Sequence, residues 1–266
     1  PLYMILDHVG FQNWRNDYQS HFDYQKDKMQ FIAQFEREVW QKFQQYKIPV
    51  IELLRSTEKE AVCQVFEKVN TGGVTLSVFE LVTATFAADD FSLRDDWTAR
   101  DKRLHRDDLP VLQDIDGPAF LASVTLLGSY QRHLAATGDQ KPAVSCKRKD
   151  VLRLTLPEYN QLADIVEQGF IKAAKLLLKE KVFDLRGLPY STQLVPLAAT
   201  CAFLGDRFEQ DSVKQKLARW YWCGVFGELY GGANETRFAL DLPDLVRWIE
   251  GGAEPRTISD ANFSPN

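Results

Sequence analysis

Phe31, Phe35, Val39, Phe43 and Tyr46 recur three and four residues apart, so FIAQFEREVWQKFQQY at 31–46 is predicted to form an amphipathic helix that ends before Pro49. The period then shortens. IPVIELL at 48–54 is short, apolar and partly β-branched, which predicts a buried strand. Thr57, with Glu60 three residues on, predicts a capping box for a helix carrying Ala61, Val62, Val65, Phe66 and Val69 on one face and stopping at Asn70.

Asn70, Thr71, Gly72 and Gly73 interrupt that pattern, and Ser77 with Glu80 predicts a second capped start. The two glycines admit positive φ and let a backbone or ligand come close, while the following helix start offers unpaired N–H groups to an anion. A plain helix–turn–helix connection is the alternative.

Farther along, residues 88–116 are strongly charged and read either as an ion-paired helix or as a connector. A helix over 118–136, a loop through KPAVSCKRKD and a long helix opened by Thr155, Pro157 and Glu158 follow. The rest is helical with glycine punctuation. The expected class is therefore mainly α, of α+β type, with domains at 1–88, 89–117 (a charged connector) and 118–266 (helical).

A net charge of −5 over 266 residues announces no general phosphate-binding surface, so any DNA contact rests on a local patch. Lys147, Arg148 and Lys149, with Lys141 and Arg153 nearby, form that patch; solvated loop cations are the alternative reading. Glu228, Glu235 and Arg237 surround the Gly231-Gly232 turn, as an ion-paired lock or as the lining of a cleft. The neighbouring Trp220, Tyr221, Trp222, Phe226 and Tyr230 are expected to build core. Cys63, Cys146, Cys201 and Cys223 contain no C-x-x-C pair and the four histidines lack ligand spacing, so no metal site is expected and a reducing, cytoplasmic setting fits. No apolar run reaches the length of a membrane span. The chain opens inside an apolar run without an initiator Met, which is expected of a fragment of a longer protein or, alternatively, of a processed terminus.

FEKVNTGGVTLSVFEL resembles the F-x-x-x-N-x-G-G-x-x-L-x-x-x-E-L signature of the GmrSD-type restriction endonuclease N-terminal family, with Phe66, Asn70, Gly72, Gly73, Leu76, Glu80 and Leu81 on the pattern. RWYWCGVFGELYGGANETRFALDL at 219–242 is similar to that family's C-terminal helical segment. The resemblance implies a remnant of a ParB/sulfiredoxin-like αβ core followed by a helical bundle. It also implies a part in bacterial antiphage restriction, in which a nucleotide-binding domain controls a separate nuclease. Asn70, Thr71, Gly72, Gly73 and Ser77 would then face a nucleoside triphosphate with magnesium in the complete protein, with DNA as a partner. The family's Asp-Gly-Gln-Gln-Arg motif and an HNH-type nuclease motif are both missing from the sequence, which leaves the chain without the parts that do the chemistry. The alternative expectation is a non-catalytic helical scaffold or homo-oligomerisation module without nucleotide binding, in which the glycine loop is a turn.

Overall fold

The computed structural model describes residues 6–47, 50, 52, 65, 76–137, 140–232 and 234–261. It divides into two compact units, Pro1–Arg55 and Ser56–Asn266.

In the first unit, Asp7 accepts a hydrogen bond from the Gly10 amide and opens α1, His8–His21. A tight turn with Asp23 and Tyr24 at positive φ leads to α2, Lys26–Phe35. One π-helical stretch, Glu36–Trp40, carries the chain into α3, Gln41–Gln45. The extra residue in each π turn rotates the apolar stripe around the axis. Of the apolar positions predicted to share a face, Phe35 and Val39 are half-buried whereas Phe31, Phe43 and Tyr46 are exposed, and the buried residue of α2 is Ile32, which is not among them. Phe11 and Trp40 stack with ring centroids 4.7 Å apart, and Arg15 pairs with Glu36 at 3.1 Å.

The second unit contains α4 (Val78–Ala87), α5 (Leu93–Leu104), α6 (Gly117–Ala135), the short α7 (Arg148–Val151), α8 (Leu156–Lys179), α9 (Leu194–Leu204), α10 (Asp211–Phe226), α11 (Glu235–Ile249) and the short α12 (Arg256–Ser259). Helix α9 is apolar on all sides and is buried along nearly its whole length, as such a helix must be in a globular protein. It packs against α8, α6 and α11. The α8–α9 crossing is close because Gly169 has no side chain: a Cβ there would lie 2.3 Å from the Ala198 carbonyl oxygen. The charged stretch supplies α5, capped by Ser92, whose Arg100 turns inward while Asp101 and Lys102 stay near solvent. Of the aromatic run, Trp220, Tyr221 and Tyr230 are core, whereas Phe226 is exposed with Trp222 stacked on it.

These observations correct the expected α+β class. Among the described residues every regular element is a helix and there is no strand, so the ParB/sulfiredoxin-like core is not supported. The resemblance to the GmrSD-type restriction endonuclease family falls with it. The physical reason lies in how the core of the second unit is closed: its apolar helix faces are covered by other helices, so among the described residues no strand edges are paired. The predicted strand at 48–54 lies outside the described residues except for Val50 and Glu52, which carry no regular structure. The helix predicted to end at Asn70 lies outside them too, apart from Val65.

Candidate functional site

Asn70, Thr71, Gly72 and Gly73 lie outside the described residues. Ser77 and Glu80 close a full capping box on α4: the Ser77 amide donates to the Glu80 carboxylate at 2.7 Å and the Glu80 amide donates to Ser77 Oγ at 3.3 Å. The Ser77 amide holds the Glu80 carboxyl below its ordinary pKa. Both side chains thus complete a helix start.

Of the other predicted residues, Lys147, Arg148, Lys149 and Glu235 lie around one segment, whereas Glu228 and Arg237 do not. Residues 140–151 run between α6 and α11, fixed to α6 where the Ser145 amide donates to Ser129 Oγ (3.0 Å) and where His133 Nδ1 meets the Pro142 carbonyl (2.8 Å). Two hollows flank this segment. The first, of about 450 Å³, is lined by Cys146, Arg148, Ser191, Thr192 and Glu235 among mainly apolar side chains. The second, of about 660 Å³, is lined by Arg132, Lys147, Lys149, Asp150, Arg153 and Thr236 with apolar neighbours.

The basic triplet is therefore divided. Arg148 faces the first hollow and donates to the Leu76 carbonyl at 3.3 Å, while Lys147 and Lys149 face the second. The acidic and basic residues of the glycine turn separate as well. Glu235 opens α11 and lines the first hollow; Arg237, two residues on, donates to Thr257 Oγ1 at 3.2 Å and approaches Asp260 at 3.5 Å. Glu228 sits in the left-handed region at the end of α10, with φ of 54°. Among the described residues Arg237 pairs with Asp260, and Glu235 lines a hollow instead.

Cys146 has its thiol pushed up to about 12 by burial, so it presents a thiol rather than a nucleophilic thiolate to the first hollow. The buried charges elsewhere tie helices together. Arg100 donates to Glu167 at 2.6 Å and Asp96 at 2.8 Å, and pairs with Asp164 at 2.8 Å; burial alone would lower its pKa, but its bonds to Asp96 and Asp164 raise it. Asp241 accepts from Trp220 Nε1 (3.1 Å), Tyr230 (2.5 Å) and Thr257 (2.5 Å), while burial raises its carboxyl above the ordinary 3.8 despite those bonds. Among the described residues no cluster of His, Cys, Asp and Glu could hold a metal ion.

Sequence reasoning missed Arg132, which reaches the second hollow from the last turn of α6 and pairs with Glu158 at the start of α8. Nothing in the local pattern signals it, because Arg132 and residues 147–153 come together only through the α6 return. Ser191 and Thr192, in a single 3₁₀ turn before α9, were missed for the same reason.

No helix among the described residues is long and apolar enough to cross a membrane. No known protein family's sequence profile matches the chain, and no solved structure matches it. The chain is similar to an uncharacterized protein of Methanocaldococcus jannaschii, at 24% identity over 217 residues that cover 77% of this chain and 34% of the relative, so it spans about a third of that relative's length.

Proposed function

We propose that the chain is a non-catalytic helical scaffold that self-associates through its first unit. The observation that carries this reading is the apolar surface of that unit: Val9, Tyr24, Phe31, Phe43 and Tyr46 each leave more than half of their surface in water. Single exposed apolar residues are ordinary, but five on one small helical unit, with two aromatic or aliphatic side chains buried in its interior, favour coverage by another surface. A second copy is the occupant proposed, because a surface that pairs with itself across a two-fold axis covers the exposed apolar side chains of both copies at once. The cross-linked charges of the second unit support a rigid carrier: Arg100, Glu167, Asp241 and Asp244 are all engaged in bonds between or along helices. A reducing cytoplasmic setting belongs to the same proposal, supported by free thiols at Cys146, Cys201 and Cys223.

Sedimentation velocity over a range of protein concentrations tests the proposal. A concentration-dependent dimer that Phe31→Glu with Phe43→Glu converts to monomer, at unchanged helical content, is expected. A monomer throughout the range, or a dimer that the double variant leaves intact, would refute self-association by this unit.

A further inference from the structure

We infer that the second hollow binds a small phosphate ester, a site separate from the proposed association surface. Four cations converge on it from different parts of the fold: Arg132 from α6, Lys147 and Lys149 from the start of α7, and Arg153 just beyond α7. They do so in a chain whose net charge is −5, so the local charge runs against that of the whole molecule. Arg132 is paired with Glu158, and Lys147 and Lys149 make no side-chain ion pair among the described residues. The two lysines therefore supply the charge that a phosphate would meet first.

The shape selects a small ligand over a polymer. A hollow of about 660 Å³ matches the range of about 300–1,000 Å³ of ordinary ligand pockets. A nucleic-acid backbone is instead followed by cations spread along a stripe or groove. An adjoining cavity of about 350 Å³ shares Arg132, Asp150 and Arg153 and extends the site toward Thr125, Thr155 and Glu158. Thr125 is buried, yet its hydroxyl has no hydrogen-bond partner in the protein, a cost that a ligand oxygen would remove. Asp150 accepts from Ser145 Oγ at 2.5 Å and lines both cavities. Its carboxylate would repel a second phosphate but can accept from a ligand hydroxyl. Cations at the mouth with carboxylate and hydroxyl groups farther in thus fit one phosphate joined to a hydroxyl-bearing body. Ion pairing by Lys147 and Lys149 would be salt-sensitive, since both lie at the surface.

Titration calorimetry on the full chain with ribose 5-phosphate, inorganic phosphate, ribose and a short DNA duplex tests this. Ribose 5-phosphate is expected to bind more tightly than inorganic phosphate, and ribose not at all. The Lys147→Ala, Lys149→Ala double variant is expected to weaken ribose 5-phosphate at least tenfold at an unchanged melting temperature, since neither lysine supports a neighbour. Thr125→Val, which keeps the side chain's shape, is expected to weaken it as well. Absence of ribose 5-phosphate binding, or binding that the double variant leaves unchanged, would overturn the assignment. So would duplex binding that needs the two lysines while ribose 5-phosphate does not bind, a result that would make the patch a nucleic-acid contact.

Discussion

At Gly169 the absence of a side chain sets how closely two helices approach. A methyl group there would meet the Ala198 carbonyl and come within 2.9 Å of the Ala202 Cβ, and the backbone oxygen cannot swing aside. Gly169→Ala is expected to destabilise the protein by about 1–3 kcal/mol, as overpacking in a close-packed core does, measured by urea unfolding. Asp241 makes a different single-residue prediction. Burial raises its folded-state pKa above the ordinary 3.8, so between those two values the folded protein holds a proton that the unfolded chain has released. Its contribution to stability is therefore greatest below the ordinary value and declines as pH rises through the raised one. Urea midpoints across a pH series are expected to show that decline in the natural chain and to lose this component in Asp241→Asn; parallel curves would show that Asp241 does not titrate across folding. Tyr230, whose hydroxyl donates to Asp241, is pushed well above its ordinary value first by its own burial and then by that carboxylate, and stays neutral throughout.

Elements are where the sequence was most readable. The Ser77–Glu80 box and the Thr155–Pro157 start involve groups within one turn of each other, so nothing distant has to be known to find them. Ser77→Ala is expected to cost about 1 kcal/mol in thermal or chemical unfolding through loss of the cap, and Glu80→Gln less because the amide can still accept from Ser77. Glu158 shows the limit of such reading. The Thr155 hydroxyl accepts from the Glu158 amide as expected, but the Glu158 carboxylate leaves the cap for Arg132. Helix α5 is another case: its charges permitted either a connector or an ion-paired helix, and the partner that matters, Glu167, stands 67 residues away. Arg100→Met is expected to cost about 3–5 kcal/mol because it strips a buried carboxylate of one of its two cations. The loss from Arg103→Met should be visibly smaller, since half of that side chain is in water. Equal losses would place the weight of the cluster at its surface.

At the scale of the molecule, the described residues form helices and no strand, which overturns the expected αβ core, and the family resemblance built on the 66–81 motif does not survive that change. A short motif constrains a few turns; it does not state what packs on them. If the first unit self-associates, Phe31→Glu and Phe43→Glu are each expected to weaken the dimer with little effect on the melting temperature at low protein concentration, because both side chains are already exposed in a single copy. A large loss of monomer stability would show instead that these rings support the fold.

By itself the sequence determined the starts of α4 and α8 and, of the five aromatics expected in the core, the inward fate of Trp220, Tyr221 and Tyr230 but not that of Phe226, because these follow from hydrogen bonds within a turn and from the transfer of apolar surface out of water. Only the tertiary structure decided that Lys147 and Lys149 share a hollow with Arg132 while Arg148 turns to another, and that Arg237 answers Asp260 rather than Glu235. Those pairings join residues brought together by the return of one helix upon another, and an interaction that acts over a few ångströms leaves no periodic trace in the chain.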